Sequence, residues 1–391
     1  MKWISYYREN YNTEEFVLKI KVKILAFYLP QFHEIPENNN WWGKGFTEWV
    51  NVKKAQPLFE KHEQPRIPQG NHHYNLSDVE VMRWQAEIAR KSGLYGFCFY
   101  HYWFSERPLL EKPLVNYLET PDIDFPYCFC WANESWTNGW AKAETSIIME
   151  QKYGDESEWR RHFDFLLPFF KDERYIKEDN KPFVVIYRPY LCECMVEMLE
   201  FWESLAIEYG FSGLKIASQR FENPGGYQEI YDCFDYHIEY QPGLARNQMM
   251  GKKTFSQIVR ARLHDFILGR FNKDLSFCQK AAGPIKVDYD SVWQNIISSV
   301  PGSEKAIAGA FVNWDNTPRH ARRGSVFTGV TADKFRHYMN LQIKHIHEKY
   351  QNNYMFLFAW NEWGEGGYME PDEINGNAFL EALRKAIDDT K

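Results

Sequence analysis

Eight stretches of nearly uninterrupted apolar residues recur along the chain, and each ends in polar and aromatic residues. They are Lys23–Phe32, Gly96–Trp103, Pro126–Asn133, Pro182–Pro189, Lys215–Arg220, Asp235–Pro242, Ile307–Trp314 and Tyr354–Trp360. Amphipathic segments with helical spacing lie among and after them: Asp78–Ser92, Ser157–Lys171, Glu193–Tyr209, Ala332–Tyr350 and Asn375–Asp388. Apolar strands that do not alternate in polarity are buried on both faces, as in a parallel sheet covered by helices. Eight strand–helix units predict an α/β fold, a closed (β/α)8 barrel of the TIM type, over an open doubly wound sheet. The chain 1–391 reads as one such domain, with long strand-end loops and an N-terminal extension over 1–22. The stretch 244–291 is long for one crossover and predicts a helical excursion, with Thr254–Leu268 as its helix. No G-x-G-x-x-G follows the first run and no G-x-x-x-x-G-K-[ST] occurs, so nucleotide-binding folds lack their usual signature.

Charge and composition narrow the function classes. The 391 residues carry 46 basic and 53 acidic side chains, a formal charge of -7. A chain without a positive field is a poor partner for nucleic acid. Aromatic residues make up 17% of the sequence, with 15 Trp, 24 Tyr and 29 Phe. Such rings are core filler or the lining of a site for flat, semi-polar ligands such as sugars. The seven cysteines are scattered, Cys128/Cys130 and Cys192/Cys194 are spaced C-x-C, and no zinc-finger spacing is present. Reduced thiols in a cytosolic protein are the expectation. Met1–Thr13 holds no apolar stretch of signal-peptide length, and the longest apolar runs, such as Tyr354–Trp360, are too short to span a bilayer. A cytoplasmic location without a transmembrane segment is expected.

Barrels of this type gather ligand chemistry at the C-terminal ends of their strands. The first run leads to His33, Trp41, Trp42, Glu48 and Trp49. The second ends in His101, Tyr102 and Trp103, and the third in Trp131, Asn133, Glu134 and Trp136, with Trp140 beyond. The fourth offers Tyr187 and Arg188, the sixth His237, Glu239 and Tyr240, and the seventh Asn313, Trp314 and Asp315. The eighth runs into Trp360, Asn361, Glu362, Trp363, Gly364, Glu365 and Gly366. Ten of the 15 Trp fall in these segments. An aromatic rim mixed with carboxylates and amides suits a saccharide, although single Trp residues also plug barrel mouths.

Phe358–Pro371 (FAWNEWGEGGYMEP) carries the strongest chemical signal. Glu362 and Glu365 stand three apart in a turn whose glycines permit tight geometry. Glycosidic cleavage uses two carboxyl groups, and the acid needs a raised pKa, which a neighbouring carboxylate and apolar Trp walls supply. The pair also fits the acidic first turn of a helix. Flanking Trp and Gly residues directly after the eighth strand favour catalysis.

The run Asn361–Gly366 with Glu370-Pro371 resembles glycoside hydrolase family 99 and, more closely, its WbsX-type relatives, found among bacterial O-antigen and capsule polysaccharide biosynthesis proteins. Ala26–His33, Trp42–Val50, Gly96–Phe104 and Phe129–Trp136 look like the same group, so the resemblance covers residues 23–371. It implies an eight-fold β/α barrel acting on glycosidic bonds, α-mannosidic and within chains in family 99, with retention and without metal or cofactor. It also implies that Glu362 deprotonates the sugar 2-hydroxyl, which attacks the anomeric carbon to give a 1,2-anhydro sugar. It further implies that Glu365 protonates the oxygen that leaves in that step and later deprotonates water. The chemistry is sensible, since an intramolecular hydroxyl has a high effective concentration and each carboxyl moves only a proton. One departure stands out: the hydrolases typically carry His between the Trp and the second Glu, and this chain carries Gly364.

Further candidates for substrate binding are His33, Trp42, Glu48, Trp49, His101, Tyr102, Trp103, Trp131, Asn133, Glu134, Trp136, Tyr187, Glu239, Asn313, Trp314, Asp315, Asn361 and Trp363. Several have structural alternatives: Glu239 pairing with Arg188 or Arg220, Asp315 capping a turn, and His33 and His101 as satisfied core histidines. His72/His73 and His345/His347 lack the i, i+4 spacing of a helical metal site, so no metal is expected. A glycosyltransferase is the first alternative. Its D-x-D signature occurs only at Asp122–Asp124, before the third run, at the wrong end of the barrel. A non-catalytic carbohydrate-binding barrel is the second.

Overall fold

The computed structural model describes residues 21–104, 107–137, 146–219, 228–251 and 283–390. Trp140, Thr254–Leu268 and the extension before residue 21 lie outside the described residues. Eight strands form the barrel: β1 (Lys23–Tyr28), β2 (Gly96–Phe104), β3 (Tyr127–Trp131), β4 (Lys181–Ile186), β5 (Lys215–Ser218), β6 (Tyr236–Ile238), β7 (Ala306–Phe311) and β8 (Tyr354–Phe358). Each pairs in parallel with the next, from Phe97 opposite Tyr127 to Ala308 opposite Met355. The ring closes through β1, where Leu25 stands opposite Gly96 and Lys23 opposite Tyr354. A closed parallel sheet has no edge to protect. Every residue of β2, β3, β7 and β8 is accordingly buried.

The helices follow local rules. Helix Val79–Ser92 starts at Asp78, whose side chain accepts the Glu80 N–H at 3.0 Å, and ends at Gly93 with φ 92°. Helix Glu156–Lys171 is capped by Asp155, and helix Ala332–Lys349 by Thr331. Side-chain caps satisfy N–H groups that the first turn leaves unpaired. The crossover after β2 is only Lys112–Leu118, too short to show in the apolar periodicity. Within 244–291, the described part comprises helix Gly243–Gly251, strand Ile285–Asp288 and the start of helix Tyr289–Ser298. Among the described residues no helix is long and apolar enough to cross a membrane, and the six cysteines are free.

Strand parity decides which aromatics can reach a ligand, because successive side chains point to opposite faces. Tyr100 of β2 points inward and stacks on Phe27 of β1 at 5.6 Å, and Phe27 meets Phe356 at 5.3 Å. Tyr102, on the same face, reaches the barrel mouth. His101 and Trp103 point outward against helix Glu156–Lys171, where the Trp103 ring lies 4.5 Å from His162 at an interplanar angle of 4°. His101 Nε2 is 2.8 Å from His162 Nε2. Trp131 also faces outward, between His162 and Trp202.

Candidate active site

The C-terminal ends of the strands open into a cleft of about 820 Å³. Its floor and walls come from nearly every strand end. Trp42, Phe46 and Glu48 come from the loop after β1, Tyr102 from β2, and Glu134 and Trp136 from beyond β3. Tyr187 and Arg188 follow β4, Tyr240 follows β6, Trp314, Arg319 and His320 follow β7, and Glu362 and Glu365 follow β8.

The turn after β8 is built tightly. Asn361 and Glu362 pair antiparallel with Tyr368 and Gly367, and a single turn, Trp363–Glu365, joins them. Gly366 closes it at φ 67°, and a Cβ there would lie 2.9 Å from the Asp315 backbone nitrogen, so glycine is required twice over. Asn361 is fully buried and staples this segment to the end of β1. Its Oδ1 accepts the Leu29 N–H at 2.7 Å and its Nδ2 donates to the Leu29 carbonyl at 3.0 Å. Trp363 stacks on Tyr368 at 3.7 Å, and its Nε1 donates to Glu370 at 2.6 Å. Glu370 also accepts from Tyr74 and Gln85, and burial pushes its pKa up to about 7. The Asp315 N–H donates to the Glu365 carbonyl at 2.6 Å, while its carboxylate is held by His62, Gln64 and Thr317.

These supports converge Glu362 and Glu365 on one cation. Arg319 Nη2 donates to Glu362 and to Glu48, and Nη1 donates to Glu365, all at 2.9 Å. Burial opposes the Arg319 charge, but the three carboxylates hold its pKa well above the ordinary value. Burial raises the Glu362 pKa well above the usual carboxylate range; Arg319 opposes this, and Glu365 and Glu48 add to it. A raised pKa makes this carboxylate a stronger proton acceptor than an ordinary one. Tyr102 completes this corner, its hydroxyl accepting from Gln31 Nε2 at 2.6 Å. Glu134 pairs with Arg188 at 2.9 Å on the opposite rim.

The cleft therefore brings together Glu362, Glu365, Trp42, Glu48, Tyr102, Glu134, Trp136, Tyr187 and Trp314. Other sequence candidates lie elsewhere. His101, Trp103 and Trp131 face the helices, as parity requires. His33 is buried against the Pro30 carbonyl, and burial pushes its pKa down to about 4. Trp49 packs on Phe32 and Trp363 beneath the floor. Asn133 exchanges two hydrogen bonds with the Arg188 backbone, and Asn313 accepts the Trp314 N–H. Asp315, Asn361 and Trp363 sit behind the site as its frame. Glu239 lines a neighbouring cavity, bonded to Tyr350 and to the Gly302 N–H. Asp122 and Asp124 pair with Arg83 and Arg90, away from the cleft. Among the described residues no three His, Cys, Asp or Glu side chains are grouped as metal ligands.

Arg319 is the site residue that sequence reading missed. It stands 43 and 46 residues before its two partners in the last turn. Its one local trace is Gly364, whose missing side chain leaves room for the guanidinium.

A family model described as "Glycosyltransferase WbsX" matches residues 24–383. The chain is 32% identical over 382 residues to "Uncharacterized protein WxcX" of Xanthomonas campestris pv. campestris (strain B100). That match covers 96% of this chain and 51% of WxcX, so the chain spans about half the length of the curated relatives it matches. Among solved structures, a "Glycoside hydrolase-like protein" aligns over 97% of both chains with a TM-score of 0.56 and 12% identity. The GH99 endo-alpha-mannosidase from Bacteroides thetaiotaomicron, in complex with BIS-TRIS-propane, aligns over 95% of this chain and 98% of its own, with a TM-score of 0.53 and 11% identity. At such identity these structures bear on the fold, which is the same eight-stranded β/α barrel.

Proposed function

Given that the chain belongs to the WbsX family, we propose that it is an enzyme of glycosidic bonds, acting on a bacterial surface polysaccharide or its precursor. One observation carries this reading. Two glutamates three residues apart, Glu362 buried and Glu365 at the cleft wall, converge on a single guanidinium in an aromatic-lined cleft. Glu362 is the base that acts through the sugar 2-hydroxyl, and Glu365 is the acid that protonates the leaving oxygen and later deprotonates the acceptor. Trp42, Trp136 and Trp314 offer flat faces for sugar C–H groups. Glu48, Tyr102 and Glu134 face the hydroxyls. An α-mannosidic linkage cleaved within a chain and a cytoplasmic location belong to the same proposal.

The second reading is glycosyl transfer. It is favoured by the family description and by Arg319, which stands beside Gly364 where the hydrolases carry His. Both readings use the same pair of carboxylates and differ in the acceptor.

Incubation of the protein with α-mannans and bacterial surface polysaccharides, followed by mass spectrometry, separates them. Products released in water by the wild type and not by Glu365→Gln support hydrolysis. Products that need an activated sugar donor support transfer. Glycan binding without products in either arm overturns catalysis in favour of a binding barrel.

A further inference from the structure

A second cavity of about 340 Å³ adjoins the cleft, between the end of β6, helix Gly243–Gly251 and the segment leading into β7. Tyr240 and Trp314 line both spaces and form the partition between them. Arg246, from the helix, lies over this partition with its guanidinium carbon 5.2 Å from the Trp314 ring centre.

Arg246 differs from the other arginines of the site. Arg319 is bonded to three carboxylates and Arg188 is paired with Glu134. Arg246 makes no ion pair among the described residues, and its Nε is buried without a hydrogen-bond partner. The other ionisable groups at the cavity wall are already accounted for. Glu239 accepts from the Gly302 N–H at 2.9 Å and from the Tyr350 hydroxyl at 2.5 Å. His237 is bonded to Ser218, and burial pushes its pKa down to about 4, so it is neutral at pH 7. Among the described residues the cavity thus holds one positive charge without an ion-pair partner. Burial lowers the Arg246 pKa, and the charge that counters this is Glu365, across the partition.

We propose that this second cavity is a subsite for an oxyanion carried by the saccharide, a carboxylate or a phosphate, and that Arg246 anchors it. A guanidinium presents a planar fork that matches either anion with two parallel hydrogen bonds. A half-buried cation without a partner gains most from such a ligand, because its desolvation is already complete in part. Trp314 supplies a ring face to the sugar that bears the anion. Resting on the function proposed above, the placement puts the anionic group next to the bond that Glu365 serves.

The test is calorimetric titration with inorganic phosphate and with glucuronate, which contain no bond to cleave. Wild type, Arg246→Gln, Arg246→Lys and Glu362→Gln are compared, with folding checked by circular dichroism. At least one anion is expected to bind the wild type and Glu362→Gln equally, and Arg246→Gln about tenfold more weakly or not at all. Arg246→Lys, which keeps the charge and loses the fork, falls between them and carries the test if the Gln variant does not fold. Phosphate binding alone assigns a phosphorylated ligand, and glucuronate binding alone assigns a uronate. Failure of both anions to bind the wild type, or equal binding by the Arg246 variants, overturns the proposal. Because Glu362→Gln is expected to lose turnover and to keep anion binding, failure of the catalytic assignment and failure of the subsite are read separately.

Discussion

A Cβ on Gly364 would lie 2.9 Å from Nε and 3.0 Å from Nη2 of Arg319, and 3.0 Å from Oε2 of Glu48. A side chain at this position therefore crowds the guanidinium that joins Glu48, Glu362 and Glu365 and makes it shift. Gly364→His is expected to displace Arg319, at a cost of about 1–3 kcal/mol from overpacking and a larger proportional loss of turnover. Thermal unfolding and rate measurements check this. Combining it with Arg319→Ala should recover part of the stability, a coupling that a double-mutant cycle reads directly. Unchanged stability and rate for Gly364→His would rule the relationship out.

Removing the cation should matter more than removing any one of its partners. Arg319→Gln leaves three carboxylates facing one another, two of them buried, and breaking a buried pair costs about 3–5 kcal/mol. The sign of the pH dependence follows. Without Arg319 the one charge that lowers the Glu362 pKa is lost, so its folded-state value rises further above the unfolded one, and the variant is least impaired in acid and loses stability as pH rises. The gap in Tm between wild type and Arg319→Gln should widen from pH 5 to pH 8. A constant gap would mean that the guanidinium acts by packing alone.

Within the catalytic pair, Glu362→Gln and Glu365→Gln should each lower turnover by roughly 10²–10⁴-fold, the range of lost proton transfer. Calorimetry on the same variants should show glycan affinity changed much less. Loss of affinity in step with loss of rate would make these residues binding groups and not proton carriers.

Glu370 offers a pH test away from the chemistry. Its folded pKa of about 7 lies above the ordinary 4.5 because the carboxyl is buried. A raised acid contributes stability that is fully present below about pH 4.5 and is lost as pH rises through about 7. Glu370→Gln lacks this component and turns an amide toward three donors, from Tyr74, Gln85 and Trp363. The variant should be less stable than wild type, with a difference that shrinks as pH rises across that window. Urea unfolding at several pH values measures it.

Two tryptophans separate lining from frame. Trp136 lines the cleft against Tyr102 and Phe104. Trp136→Ala should weaken glycan binding with little change in Tm. Trp131 is buried against the helices, and Trp131→Ala should cost about 3–5 kcal/mol with KM preserved. The reverse assignment of effects would show that the strand faces are exchanged.

The sequence by itself determined the barrel. Eight apolar runs of strand length, separated by segments that hold helices, leave a closed parallel sheet as the arrangement that buries them all. It also marked Glu362 and Glu365, because a short turn brings residues three apart together whatever the rest of the chain does. Only the tertiary structure decided which strand-end residues face the cleft. His101, Tyr102 and Trp103 are consecutive and alike in composition, yet pleating sends only Tyr102 to the mouth, and a run apolar on both faces carries no trace of that parity. Asn361, Trp363 and Asp315 fall in the right segment but hold the turn in place: Asn361 and Asp315 bond to Leu29 and His62, far away in sequence, and Trp363 bonds back to Glu370 within the same segment. Arg319 and Arg246 were invisible as site residues, because a guanidinium's role is set by the carboxylates and rings that closure of the barrel brings to it.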